Sequence, residues 1–116
     1  MTKEEITQHI SRIIDNIAMI NSTVGKTDYQ SFVRNEQAKE AVYEYLQEIG
    51  QASSELYNNS EEARKLPVDT LMAFRNARYN QEAEIDHQMV FNLITGDLQE
   101  IADQLKNSDL FKNTWN

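Results

Sequence analysis

The chain has 116 residues, no cysteine, three glycines, one proline and a formal net charge of −8, from 11 basic and 19 acidic side chains. A domain of this length buries one core and not two, and the missing thiols exclude disulfides and thiolate metal sites. The acidic excess, without any basic run, argues against avid nonspecific gripping of nucleic-acid phosphates.

Few turn-formers and plentiful Ala, Leu, Ile, Glu, Gln and Lys suit an all-α chain, expected as an antiparallel bundle of four main helices plus short helical turns. No apolar run approaches the roughly 20 residues needed to span a bilayer, and Met1-Thr2-Lys3-Glu4-Glu5 does not open a signal peptide. The expectation is one cytoplasmic domain over residues 1–116, with no membrane contact.

The first helix is predicted from about Lys3 to Asn21. Thr2 is its N-cap, and Glu4 and Glu5 suit the positive end of its dipole. Ile6, Ile10, Ile13, Ile17, Ile20 and Val24 follow a 4-3-4-3-4 spacing, broadened by Ile14, which is the seam of a bundle helix. His9 lies beside this stripe, with no second metal donor nearby. Gly25 to Asp28 form a turn, and Asp28 or Thr27 caps a long second helix. That helix should bury Ala38, Val42, Tyr45, Ile49, Ala52 and Leu56, flanked by Ala41 and Leu46. Gly50 inside it costs about 1 kcal/mol relative to alanine, which points to close approach by a neighbouring helix. Asn58-Asn59-Ser60 ends the helix, with an Asn as candidate for the left-handed conformation.

Ser60 to Lys65 fit one capped helical turn, and Pro67 suits the first turn of the next helix. Val68, Leu71, Met72 and Phe74 give a short apolar face that delivers Arg75 to Tyr79 to its C-terminal end. Asp86 is the expected N-cap of the last long helix, with the stripe Val90, Leu93, Ile94, Leu98, Ile101 and Leu105 interrupted by Gly96. Leu110, Phe111 and Trp115 in the tail either fold back on the bundle or meet a partner, burial being the commoner outcome.

Between those last two helices the stretch Arg75-Asn76-Ala77-Arg78-Tyr79-Asn80-Gln81-Glu82-Ala83-Glu84-Ile85-Asp86 crowds polar groups into a junction with few packing duties, which makes it the candidate for chemistry. Arg64, Lys65, Arg75 and Arg78 are close in sequence, although Arg64 and Lys65 read most simply as solvated charges. Glu61-Glu62 and Glu82/Glu84/Asp86 read as solvated acidic patches. Neither a glycine-rich phosphate loop nor a His/carboxylate cluster at ligand spacing is present, so no cofactor or metal is expected.

The junction resembles that of HepT-like proteins of the HEPN class, small helical ribonuclease toxins, which reads Arg-Asn, three residues, His, any residue, Tyr, then an Ile/Val-Asp pair. Arg75, Asn76, Ile85 and Asp86 fit in register, while Asn80 stands at the His position and Glu82 at the Tyr position. The resemblance extends from about residue 8 to 105. It takes in Gln8-His9-Ile10, Val24-Gly25-Lys26-Thr27, Phe32, Ala41-Val42, Leu46, Ile49-Gly50-Gln51-Ala52, Pro67 and Asp97-Leu98. Gln51 replaces a family Glu, and the Trp often found before Arg-Asn is missing.

The resemblance implies a homodimer whose Arg/His pockets face one cleft, metal-free RNA cleavage in active members, and a minimal nucleotidyltransferase antitoxin as partner. In some pairs the antitoxin adds AMP to the motif Tyr. The site residues it marks here are Arg75, Asn76, Asn80 and Glu82. Asn80 cannot titrate near neutral pH, and general acid–base help is typically worth ~10²–10⁴ in rate. Glu82 brings a negative charge towards an anionic substrate and lacks the hydroxyl that would take AMP. His87, twelve residues after Arg75, falls outside the family spacing, and Tyr79 is out of register. The leading expectation is a degenerate ribonuclease site kept in a dimeric binding or regulatory module. An active ribonuclease toxin using Arg75 and a purely structural helical bundle are the alternatives; in the latter, Arg75-Asn76 serves packing and capping.

Overall fold

Thr2 and Glu5 set the start of the first helix. The Thr2 hydroxyl accepts from the Glu5 N–H at 3.1 Å, and the Glu5 carboxylate accepts from the Thr2 N–H at 3.2 Å, a reciprocal capping box. The computed structural model describes residues 1–76 and 87–112, and every regular element among them is helical, so the chain is all-α. Helix α1 covers Lys3–Val24 and buries Ile6, Ile10, Ile13, Ile17, Ile20 and Val24, the whole predicted stripe, with Ile14 partly buried beside it. Full burial of each such side chain contributes about 1.5–3 kcal/mol. Gly25 closes α1 at φ +59, a conformation strained for residues with a Cβ, and its N–H reaches the Asn21 carbonyl at 2.8 Å.

Asp28, not Thr27, caps the next helix, its carboxylate accepting from the Ser31 N–H at 2.8 Å. That helix is not the long one the sequence predicts. Helix α2 covers only Tyr29–Arg34, and Asn35 separates it from α3, Glu36–Asn59. The reason is the competition that a short amide offers the backbone. Asn35 gives its N–H to the Phe32 carbonyl at 3.1 Å, and its side-chain oxygen accepts from the Ala38 N–H at 3.0 Å. One residue thereby ends α2 and caps α3.

Helix α3 buries Ala38, Val42, Leu46, Ile49, Ala52 and Leu56. Tyr45, expected in this stripe, is only partly buried, and Tyr43 is buried instead. No left-handed Asn ends α3: among the described residues only Gly25 has positive φ, and Ser60 leaves the helix in an extended conformation. The Ser60 hydroxyl then caps a single 3-10 turn, Ala63–Lys65, accepting from the Ala63 N–H at 3.1 Å. Pro67 lies in a turn, and the residues leading to the junction form a 3-10 segment, Leu71–Asn76, where a main α-helix was expected. Val68 and Leu71 are fully buried there, and Phe74 packs against the core.

The C-terminal helical run consists of α4 (His87–Asn92), a π-helical turn (Leu93–Asp97) containing Gly96, and α5 (Leu98–Lys106). The predicted cap Asp86 lies outside the described residues. The wider π turn brings residues four apart into line, so Val90, Ile94, Leu98, Ala102 and Leu105 are buried while Leu93 and Ile101 are only partly so. Helix α6, Asp109–Lys112, follows, and Leu110 and Phe111 fold back against the core; Trp115 lies outside the described residues. Phe91 of α4 meets Tyr29 and Phe32 of α2 at ring-centroid distances of 5.7 and 5.5 Å.

Contacts between distant parts of the chain give the orientation. Lys3 and Ile6 share a cavity with Glu62, Lys65 and Leu66 and with Ser108 to Leu110, whereas the other end of α1 places Asn21 beside Gln99. Arg12 pairs with Glu48 in between. Both α3 and the C-terminal run therefore lie antiparallel to α1. Among the described residues no helix is long and apolar enough to cross a membrane.

Removing the Asn35 side chain by Asn35→Ala should cost ~1 kcal/mol, read as a lower urea midpoint with an unchanged slope. Hydrogen bonds from the Thr2 backbone N–H and then its side chain hold the Glu5 carboxyl below its usual pKa, and those from Ser31 do the same for Asp28. A lowered folded-state pKa stabilises above the unfolded pKa, and that stabilisation is lost as pH falls through the folded value. Hydrogen exchange should therefore show the starts of α1 and α2 fraying below the ordinary carboxylate range, with both caps intact at neutral pH.

Candidate functional site

Gly50 is where α3 meets the segment that carries Arg75. A Cβ placed on Gly50 would lie 2.0 Å from the Arg75 backbone nitrogen, 2.4 Å from the Phe74 carbonyl carbon and 2.6 Å from the Arg75 Cα. Only glycine lets the Phe74–Arg75 peptide sit this deep against the helix. The close approach inferred from the sequence is present, made by a 3-10 segment. Buried Leu71 and the packed Phe74 ring anchor that segment from the core side.

With its backbone seated on α3, Arg75 sends its side chain outwards. The guanidinium is exposed, and its Nη1 donates to the Ser54 hydroxyl at 3.3 Å. Among the described residues no carboxylate pairs with it. A planar, permanently charged fork with free N–H groups can grip a phosphate or carboxylate through two parallel hydrogen bonds. Asn76 is the last residue of the same 3-10 segment. Asn80 and Glu82, together with Arg78 and Tyr79, lie outside the described residues, and His87 opens α4.

The neighbouring cations have other duties. Arg64 donates from Nε to the Tyr57 carbonyl at 2.7 Å and stacks over the Tyr57 ring 5.2 Å from its centroid, closing the end of α3. Lys65 lines a cavity of about 510 Å³ with Lys3, Ile6 and Leu110, and Arg75 is not among its walls. Another cavity, of about 240 Å³, lies beside the π turn and is lined by Asn21, Val24, Gly25, Ile94, Thr95 and Gln99. Among the described residues no group of three or more His, Asp or Glu side chains is arranged to hold a metal ion.

Ser54 is the contact that sequence reasoning missed. Its signal is its place one helical turn after Gly50, on the same face, and that becomes legible only once Gly50 is known to face Arg75. Ser53, the next residue back, is fully buried and its hydroxyl has no hydrogen-bond partner among the described residues.

Fold and site together define an all-helical protein that presents one arginine from a short segment clamped onto a long helix. A family model described as Ribonuclease HepT-like matches residues 13–108, and the chain belongs to that family. Comparison with curated proteins and with solved structures found no match.

Substituting Gly50→Ala tests the clamp. The added methyl group meets backbone rather than a yielding side chain, so the 3-10 segment must lift. Overpacking of this kind typically costs about 1–3 kcal/mol, more than the ~1 kcal/mol alanine regains in helix propensity. The expected result is a lower urea midpoint with amide shifts concentrated at residues 71–76.

Proposed function

We propose that the chain is a HepT-like, toxin–antitoxin-type protein with a degenerate ribonuclease site, acting in the cytoplasm as a dimeric binding or regulatory module partnered by a minimal nucleotidyltransferase. The observation that carries this reading is the state of Arg75: exposed, held by a neutral hydroxyl, and free of any carboxylate among the described residues. Such a guanidinium can bind a phosphate of single-stranded RNA. Cleavage needs more, because a proton must leave the 2′-hydroxyl as it attacks phosphorus and another must reach the leaving oxygen.

Asn80 occupies the position at which the family resemblance places the proton-transferring His. A neutral amide can orient a phosphate but cannot exchange protons with it. Glu82 adds negative charge beside an approaching anion, so binding should be modest and sensitive to salt. It also lacks the tyrosine hydroxyl, so a nucleotidyltransferase partner would act on this chain by binding rather than by adding AMP at that position.

A purely structural role accounts for the Arg75 backbone, which packs on Gly50, and for a cation in the last turn of its segment, but it does not call for the Ser54 hydroxyl, the one partner of the guanidinium among the described residues. The same guanidinium, without a carboxylate partner among the described residues, favours the second reading, an active ribonuclease toxin in which Arg75 works with another proton donor. Incubation with short single-stranded RNA separates the two. The native chain should bind without cleaving, and Arg75→Ala should weaken binding by roughly tenfold to a hundredfold, the loss expected for a charge-assisted grip. Asn80→His with Glu82→Tyr should raise cleavage by ~10² or more, as restored acid–base chemistry would. Cleavage by the native chain that Arg75→Ala abolishes would establish the active toxin instead. Light scattering at twice the 13.5 kDa chain mass is expected for the dimer.

A further inference from the structure

Arg75 is aimed as well as exposed. Of its donors, one at Nη1 is occupied by the Ser54 hydroxyl at 3.3 Å, while Nε and Nη2 have no partner among the described residues. A guanidinium grips a phosphate either end-on, through Nη1 and Nη2, or side-on, through Nε and Nη2. Fixing Nη1 on the helix leaves the side-on edge whole. We propose that Ser54 is the positioning residue of the Arg75 anion grip, turning the Nε/Nη2 edge towards an RNA phosphate for side-on, two-point contact.

The geometry behind this is a division of labour along one face of α3. Gly50 admits the Phe74–Arg75 peptide and so fixes where the side chain begins. Ser54, one turn further on and partly exposed, fixes where it ends. A long arginine side chain loses rotamer freedom when it binds, and an acceptor that selects one orientation beforehand removes part of that cost. Ser53 makes no such contact: it is buried, and its hydroxyl has no hydrogen-bond partner among the described residues. The neighbouring serine is therefore an internal control for register.

This proposal rests on the reading of Arg75 as a phosphate-binding group, and the test separates the two. Affinity of the full chain for short single-stranded RNA is measured for Ser54→Ala, Ser54→Thr, Ser53→Ala, Arg75→Ala and the double variant Arg75→Ala/Ser54→Ala, with thermal midpoints recorded throughout. Ser54→Ala should weaken binding roughly threefold to tenfold, the scale of one hydrogen bond, without lowering the midpoint. Ser54→Thr, which keeps the hydroxyl, and Ser53→Ala should bind like the native chain. Once Arg75 is gone, Ser54→Ala should have no further effect, the non-additivity expected of a residue that acts through another. If Arg75→Ala weakens binding but Ser54→Ala does not, or its loss persists in the double variant, the positioning role is overturned and the phosphate reading stands. If the native chain does not bind, or Arg75→Ala leaves binding unchanged, the phosphate reading is overturned, and the positioning role with it.

Discussion

The site depends on a missing Cβ. At Gly50 two backbones come closer than any side chain permits, and the peptide between Phe74 and Arg75 rests directly on α3. A helix interior is an unfavourable place for glycine, so its presence there has to be offset by the contact it admits. The contact joins a short, tightly wound 3-10 segment to a 24-residue helix packed in the core. An arginine on an unsupported loop would sweep a wide volume. This one starts from a point fixed by Gly50 below and by Leu71 and Phe74 on the core side, with Ser54 within reach of its far end.

Much of the scaffold is legible in the sequence, because its strongest signals are local and periodic. Six residues at 4-3-4-3-4 spacing in α1 admit one helical reading, and all six are buried. Thr2 with Glu5 has the spacing of a capping box. Gly50 could be singled out as a costly residue without knowing what approached it. What stayed hidden depends on competition between alternatives of similar energy. Asn35 lies in a stretch whose apolar spacing continues on both sides, and only its side-chain bond to Ala38 shows that it divides the helix. The π turn at Leu93–Asp97 moves burial from Ile101 to Ala102, a change set by packing and not by propensity. Ser54 reads as one more polar residue on a solvated face until its tertiary neighbour is known.

The acidic surface limits how such a site can work. With a net charge of −8, long-range attraction of RNA is not available to this chain, and the approach of a polyanion is opposed at low ionic strength. RNA binding of the kind proposed then has to come from short-range geometry. A lysine in place of Arg75 would offer a strongly hydrated point charge without a planar fork. A guanidinium already turned by a hydroxyl keeps its two-point geometry however weak the surrounding field. Arg64 is exposed and keeps its charge, but the Tyr57 carbonyl and ring hold it at the end of α3.

Binding and proton transfer are also separable along the chain. Among the described residues, the contacts that set Arg75 come from Gly50, Ser54, Leu71 and Phe74, on α3 and on the segment that crosses it. The group that would move protons in a HepT-like ribonuclease belongs to the junction beyond, at position 80. On the proposed reading, a change of residue there alters acid–base chemistry without changing any of the residues that form the glycine seat and the hydroxyl contact of Arg75. An amide at position 80 is thus compatible with a well-formed arginine grip, because the residues that build the grip are not the one that would move protons. Family membership establishes the scaffold, while on the proposed reading the side chain at position 80 would decide whether a phosphate gripped by Arg75 is merely bound or also cleaved.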